Sequence, residues 1–199
     1  MRNAAAGPSY ARYVAGLPGG LEAYPGAQAK GSLVRAFLEG QPPEVLRRLP
    51  AALQALVREP PIDSDWIPEV LFCAFFHALC EALGHGPAER SAWIRARNRS
   101  IFSGPLYGLL MTVVSPERML RESTRRWGVF HRGSPVEFEG FSDDGARVAL
   151  RFPVGVFDPF MLEAFGEAFA AALDAARAKD PTVEVEVSLP GFARYVARW

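Results

Sequence analysis

Cysteine, histidine and lysine are all scarce in this 199-residue chain. It has two cysteines and three histidines, and of its 22 basic residues only Lys30 and Lys179 are lysines. Cys73 and Cys80 stand seven positions apart in one predicted helix, where their Cα atoms are too distant for a disulfide bond. This scarcity excludes a disulfide framework and favours a reducing compartment, for which we predict the cytoplasm.

Net charge and long apolar runs are also lacking. The 22 acidic residues balance the 22 basic ones, so the chain has no basic excess of the kind that nucleic-acid and anionic-membrane binding require. The longest apolar run, from Val70 to Leu79, is interrupted by His77 and is too short to span a bilayer. The N-terminus has no continuous apolar segment typical of a signal peptide. We therefore expect neither a nucleic-acid nor a membrane partner.

Motifs for catalysis or cofactor binding are missing as well. The chain contains no GxSxG, no HExxH and no glycine-rich phosphate loop. Cys73, His77 and Cys80 share one face of a predicted helix, but three ligands on one helix rarely converge on a single ion, and no second ligand pair accompanies them. A haem ligated by His77, His85 or His131 rests in each case on a lone histidine. We predict no catalytic residue, no metal and no cofactor, and we interpret these side chains as core.

Arginines are abundant in two stretches, Arg90–Arg99 and Arg118–Arg132. Together they make an anion or nucleotide site one interpretation. Glutamates are interleaved with them, however, and no phosphate loop or RNA-stacking motif accompanies them. We favour a solvated helix surface.

The breaker residues and the helical periodicity divide the N-terminal part of the chain. Glycine and proline are dense in residues 1–29, which predicts a flexible or extended arm. Apolar residues at helical spacing predict a helical half over residues 30–133. Within it, Asp65 is expected to cap a helix that continues to Leu83 and is apolar on nearly all sides, as in a buried central helix.

The segment from Ser115 to Gly133 is predicted to be one amphipathic helix. Ser115 is an N-cap residue, and Pro116 has the backbone angle that suits a first helical turn. Trp127 lies on the apolar face, and Gly133 is a suitable C-terminal stop.

Beyond Gly133 the period of the apolar pattern changes from 3.6 to 2, which indicates strands. The pattern predicts two strands, 136–139 and 147–152, joined at a turn over 143–145. A long helix over 158–179 and two more strands, 183–187 and 192–199, follow. The predicted fold class is α+β, with an N-terminal helical half followed by a ββαββ antiparallel sheet with a helix packed on one face. Residues 30–199 then form a single domain of two halves, 30–133 and 134–199.

Several of these features resemble a myxobacterial paralogous family of unknown function, over about the whole of residues 30–199. The matching positions are Gly31-Ser32, Gly104 and Gly108, Pro116-Arg118-Leu120, and Tyr195, Val196 and Trp199. That family is distantly similar to the vinyl-reductase-type and haem-NO-binding-type sensor domains, which pair a helical half with an αβ half.

The resemblance carries expectations about function. Vinyl-reductase-type domains often have cysteines near the C-terminus and the haem domains have a proximal histidine on a helix, but residues 183–199 contain no cysteine and no histidine here is a clear equivalent. The resemblance therefore implies a sensor-like regulatory domain, and these departures from the family pattern argue against metal and haem functions.

Two functions follow as hypotheses. The first is a non-catalytic cytoplasmic regulatory or sensor-like domain that binds a small apolar ligand between its two halves. Its predicted ligand-binding residues are Phe72, Phe76, Trp93, Tyr107, Trp127 and Phe165. The second is a protein–protein interaction module, a homodimer or adaptor in a bacterial signalling or developmental pathway, which would use an exposed sheet edge or the arginine-rich helical face.

Overall fold

A computed structural model of the chain describes residues 7–104, 108, 115–142 and 145–199. Tyr107 and most of the predicted turn at residues 143–145 lie outside the described residues. The chain folds into two compact units. The first comprises Met1–Pro87 together with Phe130–Gly133, and the second comprises Ala88–Val129 and Ser134–Trp199.

The first unit is mainly helical and contains one small antiparallel sheet, whose strands lie in the order β2-β1-β3. Its elements are α1 (Pro8–Ala15), β1 (Gln28–Lys30), α2 (Gly31–Leu38), α3 (Pro43–Leu46), α4 (Gln54–Arg58), β2 (Trp66–Pro68), α5 (Glu69–Leu83) and β3 (His131–Arg132), with short 3-10 helices at Gly20–Glu22 and Ala51–Leu53.

Helix α5 is buried along most of its length, as its apolar composition indicates. It begins at Glu69, however, so the expectation that Asp65 caps it is wrong. Residues Trp66–Pro68 pair with β1 instead, and the Asp65 carboxylate accepts a hydrogen bond from the backbone N–H of Ile62. The strand pairing competes with the first helical turn and displaces the start of the helix.

Within the described residues 7–29, the predicted flexible or extended arm contains a helix instead, and this corrects the prediction for that part of the arm. Residues Pro8–Ala15 form helix α1, and Tyr10 and Tyr13 on this helix are buried. The glycines and prolines lie at its two ends, with Gly7 before it and Gly16 after it. They terminate the helix and do not prevent it.

The second unit contains an antiparallel sheet with the strand order β4-β5-β7-β6. Its elements are α6 (Pro87–Ser103), α7 (Pro116–Arg121), α8 (Ser123–Trp127), β4 (Val136–Ser142), β5 (Gly145–Arg151), α9 (Pro159–Ala175), β6 (Thr182–Leu189) and β7 (Phe192–Arg198). Helix α9 packs on one face of this sheet, where the buried Tyr195 hydroxyl donates to the carbonyl of Leu162 at 3.0 Å. The predicted α+β fold with its ββαββ sheet is confirmed.

The predicted helix from Ser115 to Gly133 is only partly correct. Its start is confirmed, because the Ser115 hydroxyl accepts from the backbone N–H of Arg118 at 3.3 Å. The helix is interrupted at Glu122, and the chain then enters strand β3, where His131 pairs with Ala29. Gly133 has φ +74, and a Cβ there would lie 2.3 Å from the Gly26 carbonyl oxygen, so its role is a close backbone approach.

Arginines of helix α6 form an ion-pair network with helix α9. Arg95 binds the Asp174 carboxylate through two nitrogen–oxygen contacts of 2.9 and 3.1 Å, and Arg99 lies 2.6 Å from the same carboxylate. Arg95 also donates to the carbonyl of Pro181 at 2.8 Å. These contacts hold two elements together, so Arg95 and Arg99 are engaged with a carboxylate of the chain itself.

Among the described residues, no helix is both long enough and apolar enough to cross a membrane.

The network sets the protonation of Asp174. Burial raises the pKa of this carboxyl, but the hydrogen bonds and charges of Arg95 and Arg99 outweigh burial and leave the pKa below its ordinary value. A depressed pKa means that the ion pair stabilises the fold above the unfolded-state pKa, about 3.9, and that this contribution is lost as the pH falls below it.

We expect Asp174→Asn to lower the free energy of unfolding at pH 7 by about 2 kcal/mol, because Arg95 loses its charged partner. The difference from the wild type should shrink as the pH falls below about 4. Urea unfolding at pH 7 and pH 3 measures both effects. Asp63→Asn is the matched control, since its ion pair with Arg35 is half exposed and is expected to change stability by less than about 0.5 kcal/mol. An equal loss at both pH values would contradict the ion-pair assignment.

Candidate functional site

The aromatic residues predicted to line a ligand site lie in both units. Phe72 and Phe76 belong to α5 of the first unit, with ring centroids 6.1 Å apart. Trp127 and Phe165 belong to the second unit and meet edge to face at 5.0 Å. Trp93 is half-buried on α6. The structure thus brings the predicted residues together as two separate pairs.

The pair in the first unit is part of a closed core. Phe37 of α2 contacts Phe76 edge to face at 5.0 Å and Phe72 at 6.4 Å. The three side chains are between 2% and 3% exposed. The three rings pack against one another as in a protein interior, and they have little accessible surface for a ligand.

A buried carboxylate and imidazole lie beside this core. His131 Nδ1 is 3.0 and 3.1 Å from the two carboxylate oxygens of Glu69. Because a carboxylate only accepts hydrogen bonds, the Nδ1–H donates. Glu69 is fully buried at the first position of α5, where the helix dipole favours a negative charge. The pair fastens β3 to the start of α5.

A second histidine, His77, is covered by helix α1. The Ser9 hydroxyl lies 2.7 Å from His77 Nδ1, and the Tyr13 ring stacks on the imidazole with centroids 4.9 Å apart. The Glu81 carboxylate, one turn further along α5, accepts from the backbone N–H groups of Ser9 and Tyr10 and so caps α1. Sequence reasoning missed this cap, because the carboxylate comes from a residue more than seventy positions away.

Cys73, His77 and Cys80 are buried residues of helix α5. All three side chains are buried in the described structure, and no group of three or more potential ligands among the described residues is arranged to hold an ion. A helix places i, i+4 and i+7 side chains one above another along its axis, which keeps them from converging on one point.

The aromatic pair in the second unit is part of a larger group that is not fully closed. Trp127 contacts Phe165 and also Phe169 of α9, with centroids 5.6 Å apart for the second contact. Trp127 and Phe165 are buried, whereas Phe169 is half-buried. We refer to Trp127, Phe165 and Phe169 as the Trp127 cluster. Phe169, which also contacts the Tyr195 ring at 5.1 Å, is the member of the cluster that is partly exposed to solvent.

Ser123 and Ser134 are linked to the Trp127 cluster, the first by its position in the sequence and the second by a backbone hydrogen bond. Ser123 precedes Trp127 by one helical turn, and Ser134 accepts the Trp127 indole N–H through its backbone carbonyl. In the part of the chain that the structure describes, both serine Oγ atoms are buried and neither has a hydrogen-bond partner. Sequence reasoning missed both serines, because serine in a helix or before a strand carries no signal of ligand binding.

Solved structures share this fold, and two of them illustrate the likeness. One concerns the modulation of haem redox potential through protein-induced porphyrin distortion, and the other is a Cs H-NOX mutant with the unnatural amino acid 4-cyano-L-phenylalanine at site 5. Each is 14% identical to this chain, with a TM-score of 0.53 over 84% of this chain and 97% or 94% of the other. No protein-family model and no curated protein matches the sequence. The likeness establishes the fold and nothing finer.

One of these solved structures concerns haem, and the histidines of this chain do not fit that group. A porphyrin needs open, apolar space on the free side of its axial ligand, and the side chains that line such space remain accessible when it holds no porphyrin. His77 is 1% exposed and His131 is 6% exposed, and the rings in contact with them, Tyr13 and Phe72, are buried as well. His85 lies in the connection after α5 between two exposed glycines, which offer no apolar walls.

We therefore expect haemin mixed with the purified protein to separate from it on a desalting column, which leaves the protein fraction without a Soret band. Absorption spectra before and after the column measure this. A stoichiometric Soret band that is removed by His77→Gln or His131→Gln would contradict the interpretation of these histidines as structural.

Proposed function

We propose that this chain is a non-catalytic sensor-like domain and that it binds a small apolar ligand at the Trp127 cluster. The observation that carries the proposal is the half-buried Phe169 ring in contact with the buried Trp127. Aromatic rings are large apolar surfaces that hold other rings edge to face or offset. The likeness to H-NOX structures supports a sensor role, because it extends over most of this chain and nearly all of the solved domain.

The proposal differs from the solved neighbours in how the ligand is held. One of them concerns haem, whose iron requires an axial ligand. In this chain the two buried histidines are bonded to Glu69 and to Ser9. The proposed ligand is held by ring contacts and needs no metal bond. Ligand binding then shifts the second unit toward the conformation that binds the ligand more tightly.

The remaining predicted lining residues stay predictions. Phe72 and Phe76 pack in the core of the first unit, Trp93 is half-buried, and Tyr107 is outside the described residues. We propose the myxobacterial family and a cytoplasmic location on the sequence features that predicted them.

An interaction module is the second candidate function, and one observation favours it. Val154 and Leu189 are 61% and 58% exposed, on the loop after β5 and at the end of β6. Gly191 lies beside Val154, since a Cβ on this glycine would be 3.3 Å from Val154 Cγ2. Exposed apolar side chains at one end of a sheet are typical of a contact surface for another protein.

A thermal-shift experiment with naphthalene and indole tests the ligand-binding proposal. At free probe concentrations of a hundred times Kd, a bound probe stabilises the protein by about 2.7 kcal/mol, which corresponds to about 5 to 10 °C in melting temperature. We expect Phe169→Ala to lose this shift, because it removes the accessible ring of the cluster.

The matched control is Phe192→Ala. Phe192 is also a half-buried phenylalanine of the second unit, but it lies on β7 beneath the guanidinium groups of Arg151 and Arg194. This variant should keep the full shift. No shift in the wild type, or an equal shift in Phe169→Ala, would overturn the proposed site.

A further inference from the structure

We propose that one face of the small sheet in the first unit binds a dianionic phosphate group, either free phosphate or a small phosphate monoester. The group is held between the Lys30 ammonium and the Arg132 guanidinium, and the Trp66 ring supports both cations. We refer to Lys30, Trp66 and Arg132 as the Trp66 face. This inference goes beyond the proposed function, because it concerns the first unit and does not use the Trp127 cluster.

The strand register brings these three side chains to the same side of the sheet. Lys30 of β1 stands opposite Trp66 of β2, and Gln28 of β1 stands opposite Arg132 of β3. Directly opposite residues on antiparallel strands share a face, and so do residues two positions apart on one strand. Arg132 is exposed, and Lys30 and Trp66 are half-buried. The Trp66 face is therefore open to a ligand from solution.

Both cations contact one indole ring. The Lys30 ammonium nitrogen is 4.1 Å from the Trp66 ring centroid, and the Arg132 guanidinium carbon is 3.8 Å from the same point. The two charge centres are therefore no more than about 8 Å apart, which is the screening length at physiological ionic strength, so they repel each other. The ring stabilises each cation but does not neutralise either of them.

Within the described residues, neither cation forms an ion pair with a carboxylate. The Lys30 ammonium donates to the backbone carbonyl of Ser64 at 2.9 Å, which is an uncharged acceptor. The acidic residues on either side of Ser64 are engaged elsewhere, Asp63 with the Arg35 guanidinium and Asp65 with a backbone N–H. Two neighbouring positive charges without a counter-charge in the described chain favour an anion from solution.

The donors that these contacts leave free suit phosphate. A guanidinium that lies over an aromatic ring uses its flat face, so the N–H groups at its edge stay available to an oxyanion. The Lys30 ammonium has three donors, and Ser64 takes one of them. Each charge-assisted hydrogen bond spans about 2.8 Å, so an anion with several oxygens can bridge the two cations. A phosphate monoester carries nearly two negative charges at pH 7 and neutralises both, whereas a carboxylate neutralises one.

A phosphate in this position also links two strands. Lys30 belongs to β1 and Arg132 to β3, and the two residues are about a hundred positions apart in the sequence. Strand β3 is only two residues long, so few backbone hydrogen bonds hold it to β1. A ligand that binds the folded sheet and not the unfolded chain stabilises this pairing.

An NMR titration of labelled protein with inorganic phosphate and with glycerol 3-phosphate, at constant ionic strength, tests the site. We expect saturable amide shifts at residues 28–30, 66–68 and 131–132, with a Kd of about 1 mM. Acetate, which carries one charge, should bind about fivefold more weakly. Tighter binding of glycerol 3-phosphate identifies a monoester as the ligand, and tighter or equal binding of inorganic phosphate identifies free phosphate.

Three variants and a control locate the binding energy. Arg132→Gln and Lys30→Gln should each weaken phosphate binding about five- to tenfold, because a single cation remains. Arg132→Lys keeps the charge but loses the planar fork, and it should weaken binding about threefold. Arg58→Gln is the matched control, since Arg58 is an exposed arginine at the end of α4 in the same unit. It removes the same charge and should leave the affinity within about twofold.

The inference is wrong if phosphate causes no saturable shifts on these strands, or if Arg58→Gln weakens binding as much as Arg132→Gln does. It is also wrong if acetate binds as tightly as phosphate, because one cation then suffices. Melting temperatures check that the variants fold, and Arg132→Lys supplies the comparison if a glutamine variant does not. None of these outcomes bears on ligand binding at the Trp127 cluster.

Discussion

The hydrogen bond from the Trp127 indole N–H to the Ser134 carbonyl holds the chain together on either side of the 130–133 segment. Just after Trp127 the chain leaves the second unit, adds residues 130–133 to the first, and returns at Ser134. The bond therefore joins Trp127, two residues before the end of this stretch of the second unit at Val129, to Ser134, the first residue after the 130–133 segment. Trp127 can take this position because its indole has an apolar body that packs on Phe165 and a single donor that needs a partner when buried.

The C-terminal part of the fold was predictable because its signals are local. Alternating apolar residues indicate the four strands, and Ser115 with Pro116 marks a helix start by side-chain chemistry alone. The small sheet was not predictable in this way. His131 joins a strand because Ala29 offers a partner, and only the folded chain brings the two together. The same holds for the cap of α1 by Glu81, which no pattern near residue 8 announces.

The candidate site divides along the same line. Trp127 and Phe165 were predicted from their aromatic character, which is visible in the sequence, and the structure brings them into contact. Ser123 and Ser134 were not predicted, because what distinguishes them is the lack of a partner for a buried hydroxyl. That property belongs to the packed structure. The histidines show the converse. Their residue type suggests a metal or haem ligand, but in the structure His77 contacts Ser9 and His131 contacts Glu69.

Strand β3 has a consequence for the order of folding. Its pairing of His131 with Ala29 closes a loop of about a hundred residues, whereas β1 and β2 are separated by fewer than forty. Loops of that length form slowly, because the entropy of closing them is lost before any contact compensates. During synthesis, the first unit therefore waits with one edge of β1 unpaired until the chain has been extended past residue 132. That unpaired edge is open to pairing with another strand in the nascent protein.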